Sequence, residues 1–133
     1  MIGAVLDRLR HAKLQNAGRR GEDLAHRFLK RQGYTIVARN FRLSSGEAEA
    51  DIIAWDGGTL AVVEVKSRES GEYGPHERAT GDEKRRHLLR VGRAYARKID
   101  LDWSLVRFDV VTVILRDPPE INLYRNALRT SQS

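Results

Sequence analysis

Glu49-Ala50-Asp51-Ile52-Ile53-Ala54-Trp55-Asp56-Gly57-Gly58-Thr59-Leu60-Ala61-Val62-Val63-Glu64-Val65-Lys66-Ser67-Arg68 sets the frame for the whole chain. Two apolar runs flank Asp56-Gly57-Gly58-Thr59, a strong turn signal, so the stretch reads as a β-hairpin. A two-residue loop at Gly57-Gly58 pairs Asp56 with Thr59. A four-residue loop from Asp56 to Thr59 pairs Trp55 with Leu60. Both give one register, in which Asp51 lies opposite Glu64 and Glu49 opposite Lys66. Side chains alternate faces along a strand, so Asp51, Glu64 and Lys66 share a face. A three-residue loop would turn Asp51 to the other face and break this pattern.

Two carboxylates directly opposed in a sheet repel each other. A hard divalent cation between them relieves the repulsion, and Mg²⁺ takes oxygen ligands while keeping several waters. A lysine two residues beyond Glu64 on the same face can orient a water or neutralise charge developing on a phosphate. Together these are the minimal set for metal-assisted phosphodiester hydrolysis. The same residues also fit the polar face of an ordinary half-buried strand, with Lys66 paired to Glu49 and its neighbours.

Asp51 followed, after twelve residues, by Glu64-Val65-Lys66 resembles the PD-(D/E)xK nuclease signature without its proline before the aspartate. Further matches are Gly18-Arg19-Arg20-Gly21-Glu22-Asp23-Leu24-Ala25, Gly33-Tyr34, Asn40-Phe41-Arg42, Asp51-Ile52-Ile53, Val63-Glu64-Val65-Lys66-Ser67-Arg68 and Arg107-Phe108-Asp109-Val110-Val111. With these, residues 18–127 resemble the YraN-like family of uncharacterised bacterial proteins. That family is regarded as endonuclease-like and distantly similar to archaeal Holliday-junction resolvases. The family pattern reads Gly-Glu-Ile-Asp at the first carboxylate, whereas this chain has Gly46-Glu47-Ala48-Glu49-Ala50-Asp51. Either Glu49-Ala50-Asp51 fills the motif with Ala48 in place of glycine, or two residues are inserted. The first keeps Asp51 in register with Glu64.

The resemblance implies an α/β domain with a restriction-endonuclease-like core, a mixed β-sheet flanked by helices. It implies that Asp51, Glu64 and the Val65 carbonyl hold Mg²⁺ or Mn²⁺, that Lys66 positions the nucleophile or stabilises the pentavalent phosphate, and that Glu22 is an extra ligand or orients a water on the metal. Arg19, Arg20, Arg68, Lys84, Arg85 and Arg86 are the expected nucleic-acid contacts. The rival reading keeps the fold and the basic surface as a non-catalytic nucleic-acid-binding module. A third is a structural adaptor with no nucleic acid at all.

Composition narrows the options. The 133 residues suit one domain, with a basic helix or arm over residues 1–15 and a frayed tail at 128–133. The absence of cysteine removes disulfides, thiolate metal sites and cysteine nucleophiles, and fits a cytoplasmic location. No apolar run approaches the ~20 residues of a membrane span. The net charge of +6 is unevenly spread. From Arg8 to Arg42 ten basic residues face two acids, from Leu43 to Glu83 ten acids face three basic residues, and from Lys84 to Lys98 seven basic residues stand without an acid. An acidic centre between basic flanks suits a polyanion, most simply DNA, approaching a cation held by carboxylates. Solvated basic helices give the same pattern. Work on branched DNA would call for a homodimer with two sites.

The remaining elements follow from periodicity. Residues 16–32 read as a helix with Leu24, Ala25, Phe28 and Leu29 in one stripe, and Gly18 and Gly21 within it allow close approach to a sheet. Glu22 lies at the stripe's edge, where an acid also favours a helix N-terminus. Gly33 ends that helix and Tyr34–Phe41 reads as a strand. Residues 69–79 read as a long loop whose Tyr73, His76 and Arg78 face nucleic acid. Thr80-Gly81-Asp82-Glu83 has the form of a capping box opening a helix with Leu88, Val91, Tyr95 and Ile99 buried. Leu105–Leu115, apolar on both faces, reads as a central strand covered on both sides, and Ile121–Tyr124 as a short edge strand.

Overall fold

The computed structural model describes residues 2–69 and 81–127. Helix α1 spans Ile2–Arg31, followed by strands β1 (Thr35–Arg42), β2 (Glu49–Asp56) and β3 (Thr59–Glu69). Helix α2 (Asp82–Lys98) and a 3₁₀ turn (Trp103–Leu105) lead into β4 (Val106–Leu115) and β5 (Glu120–Tyr124). The five strands form one mixed sheet in the order β1-β2-β3-β4-β5. Only β3 and β4 run parallel, joined by the crossover that contains α2. Among the described residues the result is an α/β sheet flanked by two helices, compatible with a restriction-endonuclease-like core. Among the described residues no helix is long and apolar enough to cross a membrane.

The hairpin has the two-residue loop. Asp56 pairs with Thr59, and Gly57 takes φ 62°, a conformation that costs glycine little. Ile52, Ala54, Ala61, Val63, Val111 and Val113 face α1, where Ala25, Leu29 and Tyr34 cover them. Ile53, Leu60, Val62 and Phe108 face α2, against Leu88 and Val91. Alternation along β3 therefore places Glu64 and Lys66 on the α2 face, at the end of the sheet away from the turn, and Asp51 lines a cleft there with Lys84 and His87 of α2.

Gly21 brings α1 onto the sheet. A Cβ there would stand 2.4 Å from Ser67 Cβ, so the helix crosses β3 at a distance only glycine permits. Gly18, expected to share this role, has nothing within 4 Å of such a Cβ. Helix α2 begins at Asp82, with Gly81 as a cap that donates no side chain, and Thr80 lies outside the described residues. Its buried stripe is Leu88, Val91, Gly92 and Ala96. Ile99, expected in that stripe, follows the helix and is 36% exposed. The middle strand is β3 rather than β4, although β4 is covered on both faces as its composition requires. Strand β5 is the edge expected near residues 121–124.

A second polar cluster anchors the turn end of the sheet. Asp109, fully buried, accepts from Tyr34 Oη (2.9 Å), Arg107 Nε (2.8 Å), a terminal Arg107 nitrogen (2.8 Å) and the Asn126 amide (2.9 Å). Arg107 also donates to Asp56 at 2.8 Å. Burial and the adjacent Asp109 push the Tyr34 hydroxyl up to about 12. With its oxygens so fully occupied, Asp109 is a structural acid paired with Arg107.

Candidate functional site

The β2–β3 ladder runs from Asp56↔Thr59 to Ile52↔Val63 and stops there. Beyond it the strands part: β2 stays bonded to β1 through Ala50↔Phe41 and Glu49↔Arg42, while β3 stays bonded to β4 out to Glu69. The hairpin thus opens into a fork where Asp51 and Glu64 would have been the next pair. The fork has a chemical cause. Val65 N–H would continue the ladder, but donates instead to Asp51 Oδ2 at 2.8 Å. The aspartate side chain takes the place of a backbone carbonyl. In an extended strand the N–H and C=O of one residue point to the same side, so the Val65 carbonyl also faces the fork.

Four carboxylates gather around this opening. Glu64, 6% exposed, has Lys84 Nζ 3.6 Å from its Oε2. Asp51 is held up to about 7, chiefly by burial, with Glu22 and Glu64 adding to the shift and the Val65 amide and Lys84 opposing it. Glu22, on α1 beside the close-packed Gly21, is near enough for its charge to act on Asp51. Arg39 grips it (3.3 Å) together with Asp23 (2.9 Å). Asn40, at φ 51°, links Glu22 to Glu49: with its amide nitrogen toward the acids it donates to Glu22 Oε1 (3.2 Å) and Glu49 Oε2 (2.8 Å). That orientation turns the amide's donor, and not its oxygen, toward the carboxylate oxygens, which accept. Glu49 also pairs with Arg42 at 3.0 Å.

Asp51 opens onto a cleft of about 270 Å³ lined by Arg42, Glu47, Glu49, Lys84 and His87 among others. The loop between β1 and β2 forms one wall and α2 the other, tied together by Arg90 and Glu47 at 3.0 Å. Lys66 lies on the same sheet face as Glu64, two residues along β3 and opposite Thr112 of β4. Arg19, Arg20 and Arg86 are exposed on the two helices, while Arg68 and Arg85 are partly buried. Arg42 and His87 border the cleft, and sequence reasoning did not single them out. The Asn40-Phe41-Arg42 match was the signal for one of them. Glu49 was expected opposite Lys66, but the fork separates β2 from β3 there and Glu49 turns to β1. Tyr73, His76 and Arg78 lie outside the described residues.

The donor set suits a divalent cation. Asp51 is buried beside two further acids and resists ionisation, so a cation there relieves a cost already present. Among the described residues no three His, Asp or Glu side chains gather about one point in metal-holding geometry. The protein's share would then be the Asp51 and Glu64 carboxylates and the Val65 carbonyl, with water completing the shell as Mg²⁺ prefers.

Comparison with known proteins finds relatives in one family of uncharacterised proteins. A family model described as "Uncharacterised protein family UPF0102" matches residues 21–113. A UPF0102 protein of Solibacter usitatus is 52% identical over 131 residues, covering 96% of this chain and 99% of that protein. One from Koribacter versatilis is 43% identical over 132 residues, covering 98% and 92%. Another, from Desulfosudis oleivorans, is 45% identical over 113 residues, covering 85% and 89%.

Proposed function

We propose that this chain, which belongs to the UPF0102 family, is a divalent-metal-dependent nuclease that hydrolyses phosphodiesters of nucleic acid, most simply DNA. The observation that carries the proposal is the fork. Asp51 interrupts its own hairpin to accept the Val65 amide, and so stands in a gap with Glu64 and Glu22 near enough for their charges to act on it. A hairpin built only for stability would not carry acids at both of these opposed positions.

Asp51 and Glu64 would hold Mg²⁺ or Mn²⁺ with the Val65 carbonyl. An ion held there would supply Lewis-acid chemistry for a scissile phosphate and a more acidic water. Glu22 accepts a hydrogen bond from the attacking water and orients it; Arg39 and Asn40 fix that carboxylate. Lys66 offsets the negative charge that grows on the phosphate. The fixed dipoles and charges are in place before substrate arrives, which is where most such rate enhancement originates.

A second reading, a nucleic-acid-binding module without catalysis, draws support from one specific observation: no third His, Asp or Glu completes a metal cluster among the described residues. Incubation of linear, single-stranded and branched DNA with the wild type in Mg²⁺, Mn²⁺ or chelator separates the two. Metal-dependent cutting lost in Asp51→Asn supports the nuclease; salt-sensitive binding with no cutting in any metal sinks it.

A further inference from the structure

Lys84 occupies an unfavourable place for a lysine. It lies in the first turn of α2, where the partial positive charge of the helix end opposes a cation. What compensates is the carboxylate of Glu64, 3.6 Å away and nearly inaccessible to solvent. Lys84 also lines the cleft onto which Asp51 opens. Its side chain is 43% exposed and lines the cleft beside Arg42, so the ammonium can leave Glu64 for the cleft without unpacking the core. The other acids of the cleft walls are held in the same way: Glu49 by Arg42 and Glu47 by Arg90, both at 3.0 Å. Each pair joins an acid that a cation would claim to a base that a phosphate would claim.

We propose that Lys84 is a stand-in cation for the metal-free site: it neutralises Glu64 until a divalent ion displaces it, and on release it moves into the cleft to meet a strand phosphate. Metal and phosphodiester then bind cooperatively, because each removes the partner that competes with the other. The coupling must be reciprocal, as linkage requires. This rests on the metal-dependent reading of the fork and adds to it a residue that positions metal and substrate by exchanging partners. A lysine with a merely structural role would do the opposite. It would hold Glu64 in place for the metal, and its loss would weaken metal binding.

The test is calorimetric titration of Mn²⁺ into the wild type and into Lys84→Gln, with folding of both checked by circular dichroism. Lys84→Gln is expected to bind Mn²⁺ about tenfold more tightly in the absence of nucleic acid, since the competing charge is gone. A short oligothymidylate, added in a Lys66→Ala background so that it is not consumed, is expected to tighten Mn²⁺ binding by a larger factor when Lys84 is present than when it is glutamine, and an equal factor in both overturns the exchange. Equal or weaker Mn²⁺ binding by Lys84→Gln overturns the exchange and leaves the metal site standing. Failure of both proteins to bind Mn²⁺ overturns the exchange together with the metal-dependent reading itself.

Discussion

The cost of keeping Asp51 in the fork is measurable without metal or substrate. The folded protein holds the Asp51 proton up to about 7, whereas the unfolded chain releases it near the ordinary 3.8. Between those values the folded state binds more protons than the unfolded one, so stability falls as pH rises through that window. Each pH unit of difference is worth about 1.4 kcal/mol, and the full shift therefore costs on the order of 4 kcal/mol above pH 7. Part of this is already lost by pH 5. Between pH 5 and pH 8 the Asp51 contribution falls by roughly 2–3 kcal/mol. Asp51→Asn keeps the oxygen that accepts the Val65 amide but cannot ionise, so it escapes the penalty. The difference between variant and wild type should grow by that amount from pH 5 to pH 8 in chelator. Comparing the two proteins at each pH cancels other titrations, including that of His26, whose value is lowered by burial and by Arg39 and works in the opposite direction. Urea denaturation at both pH values gives the numbers. Mn²⁺ at a hundred times its Kd should then return about 2.7 kcal/mol to the wild type at pH 8 and little to the variant. If Asp51→Asn is less stable than wild type at pH 8 without metal, Asp51 is a structural acid and the fork is not a ligand site.

Other outcomes follow from particular contacts. Gly21→Ala should destabilise by about 1–3 kcal/mol, because its methyl meets Ser67 in a packed interface, whereas Gly18→Ala, with open space around it, should stabilise by roughly 0.5–1 kcal/mol through helix propensity; thermal melts of both decide. Arg107→Met should cost about 3–5 kcal/mol by leaving the buried Asp109 charge without its main partner, and Tyr34→Phe about 1–2 kcal/mol, both read by urea denaturation. Lys66→Ala should retain Mn²⁺ binding by calorimetry while losing cleavage by roughly 10²-fold or more, the scale of one group that stabilises the transition state. DNA affinity measured by fluorescence anisotropy should fall about 10³-fold between 50 and 200 mM salt if six or more phosphates are contacted, and a flat response would exclude binding led by phosphates.

Much of this architecture is legible in the sequence because local chemistry determines it. Asp56-Gly57-Gly58-Thr59 marks the turn, the two-residue and four-residue loops it allows share one register, and that register sets Asp51 opposite Glu64. The apolar runs on both faces of Val106–Leu115 require helices on both sides of the sheet. Less legible were features set by contacts across the molecule. That Gly21 and not Gly18 is the crossing point depends on where Ser67 lies under the helix. The exposure of Ile99 depends on where α2 ends, and periodicity carries past a helix terminus without marking it.

The fork shows why a correct register was still an incomplete account of the site. Pairing rules place Asp51 opposite Glu64 as if both strands continued, yet the repulsion that made the pair conspicuous is also what a continuous ladder would have to absorb. The chain avoids it by spending a side chain: Asp51 satisfies Val65 N–H itself, so β2 and β3 separate without leaving that donor unpaired. Opening the ladder turns a backbone carbonyl toward the gap, and with β2 now bonded only to β1, Glu49 is drawn to Arg42 and Asn40 instead of Lys66. The single hydrogen bond from Val65 to Asp51 thus accounts for the position of the acids, the direction of the Val65 carbonyl and the loss of the Glu49–Lys66 pairing. Strand alternation could supply the residues of this site, but only the broken ladder supplies the space between them.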